Sequence, residues 1–101
     1  MKLNNKIAVI TGGGSGIGEA ISKAYAKEGA TVIIADRDAS AASKVSNEIG
    51  GATSSIEVDI SRRSKVMAAA EKVISDHGRV DILVNNASAL WWQDIEDTPI
   101  K

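Results

Sequence analysis

Cysteine is absent from this 101-residue chain, which excludes disulfides, thiolate nucleophiles and thiolate metal sites. There is one histidine, His77, which excludes a histidine-rich metal site; it stands next to Gly78 at an expected helix C-terminus, where a cation is mildly favoured, with no partner cluster for metal or triad work. Net charge is also nearly absent: the formal value of −1 leaves no basic footprint for nucleic acid and no polybasic membrane patch. No apolar stretch approaches the roughly 20 residues needed to span a bilayer. Met-Lys-Leu-Asn-Asn-Lys runs straight into apolar sequence without the h-region of a signal peptide, so the expected location is the cytoplasm.

What the chain does have is 44% hydrophobic and 25% charged residues, the balance of a single small globular domain. A domain of this size can bury roughly two-thirds of its unfolded surface. Apolar runs alternate with helical periodicity, the βαβ signature of a parallel sheet covered by helices. The runs predict strands at about 6–11, 30–35, 53–58 and 81–85. The first helix is expected over about 17–28, with Ile17, Ala20, Ile21, Ala24 and Tyr25 on one buried face and Gly29 ending it. Asp38 is the expected N-cap of a second helix, which carries Ala42, Val45 and Ile49 inward and stops at Gly50-Gly51. Ser61 is the expected cap of a third, with Val66, Ala70, Val73 and Ile74 inward and Gly78 at its exit.

The most informative segment is Thr11-Gly12-Gly13-Gly14-Ser15-Gly16-Ile17-Gly18, at the junction of the first strand and first helix. First-turn amides of a helix have no intrahelical acceptor, and the helix dipole adds partial positive charge there. Glycines let an anion approach those amides, so the junction reads as a pyrophosphate cradle. Glycines 12, 16 and 18 read G-x-x-x-G-x-G, and no frame gives G-x-G-x-x-G. A nucleoside-triphosphate loop fails because Glu19 stands where its lysine must be. Asp36 closes the second strand, twenty residues after Gly16, where an acidic residue accepts hydrogen bonds from an adenosine ribose. Its charge opposes a 2′-phosphate and favours NAD over NADP. Arg37 beside it argues the other way, and Ser15 adds no positive charge for that phosphate.

Together with Val58-Asp59-Ile60 and Asn85-Asn86-Ala87, these motifs resemble the short-chain dehydrogenase/reductase family in order and spacing over essentially the whole chain. The resemblance implies an α/β fold of Rossmann type, doubly wound, with parallel strand order 3-2-1-4 and truncated after strand four. It implies that residues 1–101 are the NAD-binding N-terminal half of a larger domain. Gly12, Ser15, Gly16, Ile17 and Gly18, after Thr11, would line the pyrophosphate, and Asp36 would hold the adenosine ribose. Asp59 would accept from the adenine amino group with the Ile60 backbone beside the ring. Asn86 and Ala87 would sit near the nicotinamide-side ribose. Asn85 has an alternative use as a buried amide tying strands together.

The family's reaction is hydride exchange between a nicotinamide and a secondary alcohol or ketone, assisted by serine, a Tyr-x-x-x-Lys pair and a helix asparagine. None can be assigned here: Tyr25 is the one tyrosine, and Gly29 stands where its lysine would be. Ser88 replaces the glycine usual after Asn-Asn-Ala. Trp91-Trp92 would gate a substrate or pack on a missing half, and Thr98-Pro99 has the chemistry of a helix start. The expected state of the complete enzyme is a homo-oligomer acting on a small alcohol or ketone, without nucleic acid, membrane or metal, and this chain alone is expected to be inactive. A non-enzymatic NAD-binding module, or a truncated gene product completing its fold with a partner, fits the same residues.

Overall fold

The two central strands form where apolar residues run almost unbroken, because each faces a helix layer on both sides of the sheet. The computed structural model describes residues 2–12, 14, 16–59 and 61–85. It contains β1 (Ile7–Thr11), α1 (Gly16–Lys27), β2 (Thr31–Asp36), α2 (Ala39–Ile49), β3 (Ser54–Glu57), α3 (Arg63–His77) and β4 (Ile82–Asn85). All pairings are parallel and the strand order is β3-β2-β1-β4. The order expected from the family resemblance is therefore the one found. Element ends differ from the expected ones by about a residue, as for Ser54–Glu57 against 53–58.

This order dictates where the helices lie. Right-handed crossovers carry α1 and α2 over one face as the chain steps outward from β1 to β3. The return to the far side of β1 reverses direction and puts α3 on the other face. Side chains alternate accordingly. Ala8, Ile10, Val32 and Ile34 pack with Ala42 and Val45 of α2 and, partly buried, Ile21 and Tyr25 of α1. Ile7, Val9, Ile33 and Ala35 pack with Val58 and with Val66, Ala69, Ala70 and Val73 of α3. Period-two alternation across a two-sided core makes β1 and β2 read as continuous apolar runs.

Two caps follow the sequence and one does not. Asp38 sits in an extended conformation and its side chain accepts from the Ala41 amide at 3.0 Å, capping α2 as expected. Gly78 closes α3 at φ 86°, with its amide donating to the Ile74 carbonyl at 2.7 Å. The residue at the start of α3 is Arg62, not Ser61, and it makes no side-chain cap. Ser61 is instead drawn to Asp59, whose carboxylate accepts from both the Ser61 amide, at 3.0 Å, and its hydroxyl, at 2.6 Å. A short carboxylate competes well for nearby amides, so this local turn displaces the cap.

The buried face of α1 also differs from expectation. Gly18 and Ser22 are the buried residues, Ile21 and Tyr25 are half-buried, and Ala20 and Ala24 are exposed. Ile17 is 70% exposed. The helix is seated close to the sheet through small residues: the Ser22 hydroxyl folds back to the Gly18 carbonyl at 2.8 Å, satisfying itself without a partner outside the helix. On α3, Ala69 joins the buried set while Ile74 is half-buried. No helix among the described residues is long and apolar enough to cross a membrane.

Candidate functional site

Parallel pairing brings the carboxyl ends of all four strands to one rim. The register places Thr11 beside Ala35 on one side and Asn85 on the other, and Asp36 beside Glu57. Thr11 is fully buried, and its hydroxyl donates to the Val84 carbonyl at 3.2 Å, tying β1 to β4 just below the rim. The Gly12 amide extends the ladder by donating to the Ala35 carbonyl at 2.7 Å. Gly12 then takes φ 67°, a left-handed conformation that lets the chain turn away from the sheet.

Gly16 opens α1 at φ 54°, and a Cβ placed there would meet nothing within 4 Å. With Ile17 largely exposed, the described part of the helix mouth faces open space. First-turn amides above a dipole, beside open space at Gly16, form a surface chemically suited to a phosphate. Gly18 lies beneath, buried against the sheet.

Gly14 completes this arrangement, and the glycine spacing gave no reason to single it out. Its amide donates to Asp36 Oδ2 at 3.1 Å. A Cβ on Gly14 would lie 2.8 Å from that oxygen, 2.9 Å from the Ala42 nitrogen and 3.0 Å from the Ala41 carbonyl carbon. Space, not backbone conformation, demands glycine here. The half-buried Asp36 side chain thus faces the glycine loop, and its other oxygen accepts from the Asp38 amide at 3.0 Å.

Along the rim, Arg37, Glu57, Val58, Asp59, Arg62 and Lys65 line a groove of about 220 Å³. The hydroxyl of Ser61 does most to hold the Asp59 carboxyl below its ordinary value, followed by the Ser61 amide, with Arg37 and Arg62 adding to the effect. Arg37 is exposed and Val58 is buried. The structure therefore joins Gly12, Gly16, Ile17, Gly18 and Asp36 around one mouth and sets Arg37 and Asp59 in the adjoining groove. Ser15, Ile60, Asn86 and Ala87 lie outside the described residues, as do Ser88, Trp91, Trp92, Thr98 and Pro99.

A larger groove, about 500 Å³, lies at the opposite end of the fold, between the carboxyl ends of α1 and α2 near Lys27, Gly50 and Thr53. Helix ends of that sign present carbonyl oxygens and repel phosphate. Of these two grooves, the smaller one adjoins the helix mouth that suits an anion. No cluster of acidic or histidine side chains among the described residues could hold a metal ion.

A parallel sheet with strand order β3-β2-β1-β4 and this crossover reversal defines a doubly wound α/β fold of Rossmann type. The chain belongs to the short chain dehydrogenase family, whose model matches residues 6–101. It is similar to galactitol 2-dehydrogenase of Agrobacterium fabrum (strain C58 / ATCC 33970), 43% identical over 88 residues that cover 87% of this chain and 34% of that enzyme. Among solved structures it is similar to the 3-ketoacyl-(acyl-carrier-protein) reductase of Brucella melitensis complexed with NADH. That match has 49% identity and a TM-score of 0.76, covering 79% of this chain and 33% of the reductase. A metagenomic short-chain oxidoreductase in complex with NADP aligns with a TM-score of 0.83 and 38% identity, over 88% of this chain and 42% of its own. The chain thus spans about a third to two-fifths of these relatives.

Proposed function

We propose that residues 1–101 form the dinucleotide-binding front half of an NAD-preferring oxidoreductase that exchanges hydride between a nicotinamide and a secondary alcohol or ketone. The observation that carries this reading is the Asp36 carboxylate turned onto the glycine loop, within 3.1 Å of the Gly14 amide. It stands where an adenosine ribose would lie if a pyrophosphate occupied the helix mouth.

In this reading Gly12, Ser15, Gly16, Ile17 and Gly18 line the pyrophosphate, Gly12 by leaving room for it and the others through their amides, with Thr11 fixing the strand end behind them. Asp36 accepts from the ribose hydroxyls and opposes a 2′-phosphate. Arg37 flanks that position, Asp59 accepts from the adenine amino group and Ile60 lies beside the ring. Asn86 and Ala87 meet the nicotinamide-side ribose. When bound, the dinucleotide supplies the hydride donor or acceptor. This chain contributes binding and orientation and no catalytic residue: Tyr25 is half-buried against the α1–α2 face of the core, away from the mouth. The small-alcohol substrate, a homo-oligomeric complete enzyme, a cytoplasmic location and the absence of nucleic-acid, membrane and metal partners belong to the same proposal. Support comes from the family membership and from relatives that carry NADH or NADP.

Calorimetric titration of the full chain with NAD and NADP tests it. NAD should bind tighter by about tenfold, a difference of about 1.4 kcal/mol, and Asp36→Ala should erase that preference. Tighter binding of NADP by the unaltered chain would overturn the NAD preference, and binding of neither would overturn the reading as a whole.

A further inference from the structure

We infer that Asp36 is a positioning residue for the glycine loop as well as a ligand for the ribose: its carboxylate brackets the loop onto the start of α2 and so sets the shape of the anion mouth. The bracket is visible without any ligand. Asp36 Oδ2 accepts from the Gly14 amide at 3.1 Å and Oδ1 accepts from the Asp38 amide at 3.0 Å. Asp38 in turn caps α2 through the Ala41 amide at 3.0 Å. Gly14 is seated so closely that an added Cβ would lie 2.9 Å from the Ala42 nitrogen and 3.0 Å from the Ala41 carbonyl carbon. One side chain therefore joins the end of β2, the middle of the β1–α1 loop and the first turn of α2. Such a carboxylate orders two backbone amides that would otherwise have to find water.

This has a consequence opposite in sign to simple electrostatics. Removing a carboxylate near an anion site lowers repulsion and should tighten anion binding. If the carboxylate also shapes the site, removing it loosens the loop and weakens binding of any phosphate, including one with no ribose attached. The second half of that statement rests on the dinucleotide reading above, whereas the bracket itself does not.

The test compares the full chain with Asp36→Asn and Asp36→Ala in two arms. In the first, amide exchange at Gly14 is followed with no ligand present. It should be about tenfold faster in Asp36→Ala, with Asp36→Asn in between, because the two amides bond different carboxylate oxygens and the asparagine NH2 that replaces one of them cannot accept. The Gly50 and Gly78 amides, which donate to the Ser46 and Ile74 carbonyls at 2.8 and 2.7 Å, report folding and should exchange as before. In the second, inorganic pyrophosphate is titrated and should bind several-fold more weakly to Asp36→Ala. Equal Gly14 exchange in all three proteins overturns the bracket, and so does tighter pyrophosphate binding by the alanine variant. A chain that binds no pyrophosphate sinks the functional reading, and the exchange arm still judges the bracket.

Discussion

Asp81 and Ile7 hold each other twice. The Asp81 amide donates to the Ile7 carbonyl at 2.9 Å, and an Asp81 carboxylate oxygen accepts from the Ile7 amide at 2.8 Å. This closes the amino-terminal end of the β1–β4 pair at the point where both strands begin. Arg79 braces the same carboxylate at 2.9 Å and also donates to the Asn5 carbonyl.

The Ile7 amide, foremost, and then Arg79 keep the Asp81 carboxyl below its ordinary value. A carboxyl lowered in the folded state stabilises fully above the unfolded range, and the contribution disappears as pH falls through the lowered folded value. Asp81→Ala removes the acceptor of the Ile7 amide at a solvent-exposed position, where screening keeps the charge contribution small, and should cost about 1 kcal/mol or less at neutral pH. Its denaturant midpoint should fall less steeply on acidification below about pH 4 than that of the unaltered chain. Urea melts between pH 7 and pH 2 measure both effects.

Thr11→Val keeps the shape of a fully buried side chain and removes the hydroxyl that reaches Val84. The expected loss is about 1 kcal/mol, and any loss of dinucleotide affinity should be small beside it. Thermal melts alongside NAD titration separate the two.

Ile34→Ala empties a site with no solvent exposure at the centre of the α1–α2 face. The cost should be about 2–5 kcal/mol, a large share of the stability of a small domain. Ile17→Ser, at 70% exposure, should change stability by less than about 0.5 kcal/mol. Matched chemical denaturation curves will show whether the helix mouth carries as little stability as its exposure says.

Gly16→Val probes the mouth itself. The added carbon has room, but φ 54° strains any L side chain, so stability should fall by about 1–2 kcal/mol. The branched side chain would also stand in the path of an incoming phosphate. NAD binding should be lost while circular dichroism stays that of the folded chain, and retained affinity would move the site away from Gly16.

The sequence carried the sheet plainly because a two-sided core leaves unbroken apolar runs such as Ile7–Ile10 and Val32–Ala35. It carried the Asp38 cap and the Gly29 and Gly78 exits because those positions have one dominant physical solution. The face of α1 was less legible: apolar periodicity pointed to Ile17, Ala20 and Ala24, whereas close seating on the sheet selects small residues such as Gly18 and Ser22. Ser61 does not cap α3 because Asp59, two residues back and outside the helix, takes both its amide and its hydroxyl. Gly14 carries no signal in the glycine spacing because its constraint comes from Asp36, Ala41 and Ala42, which only the folded chain brings near.

The register gives β2 one residue more than β1 at the rim, so Asp36 overhangs the level of Thr11. A slip of β2 by a single position would drag an ionised carboxylate alongside a residue with no access to water, and would turn the whole strand inside out. The overhanging acid is thus a stop against misalignment: it guards the pairing of the two central strands from the outside.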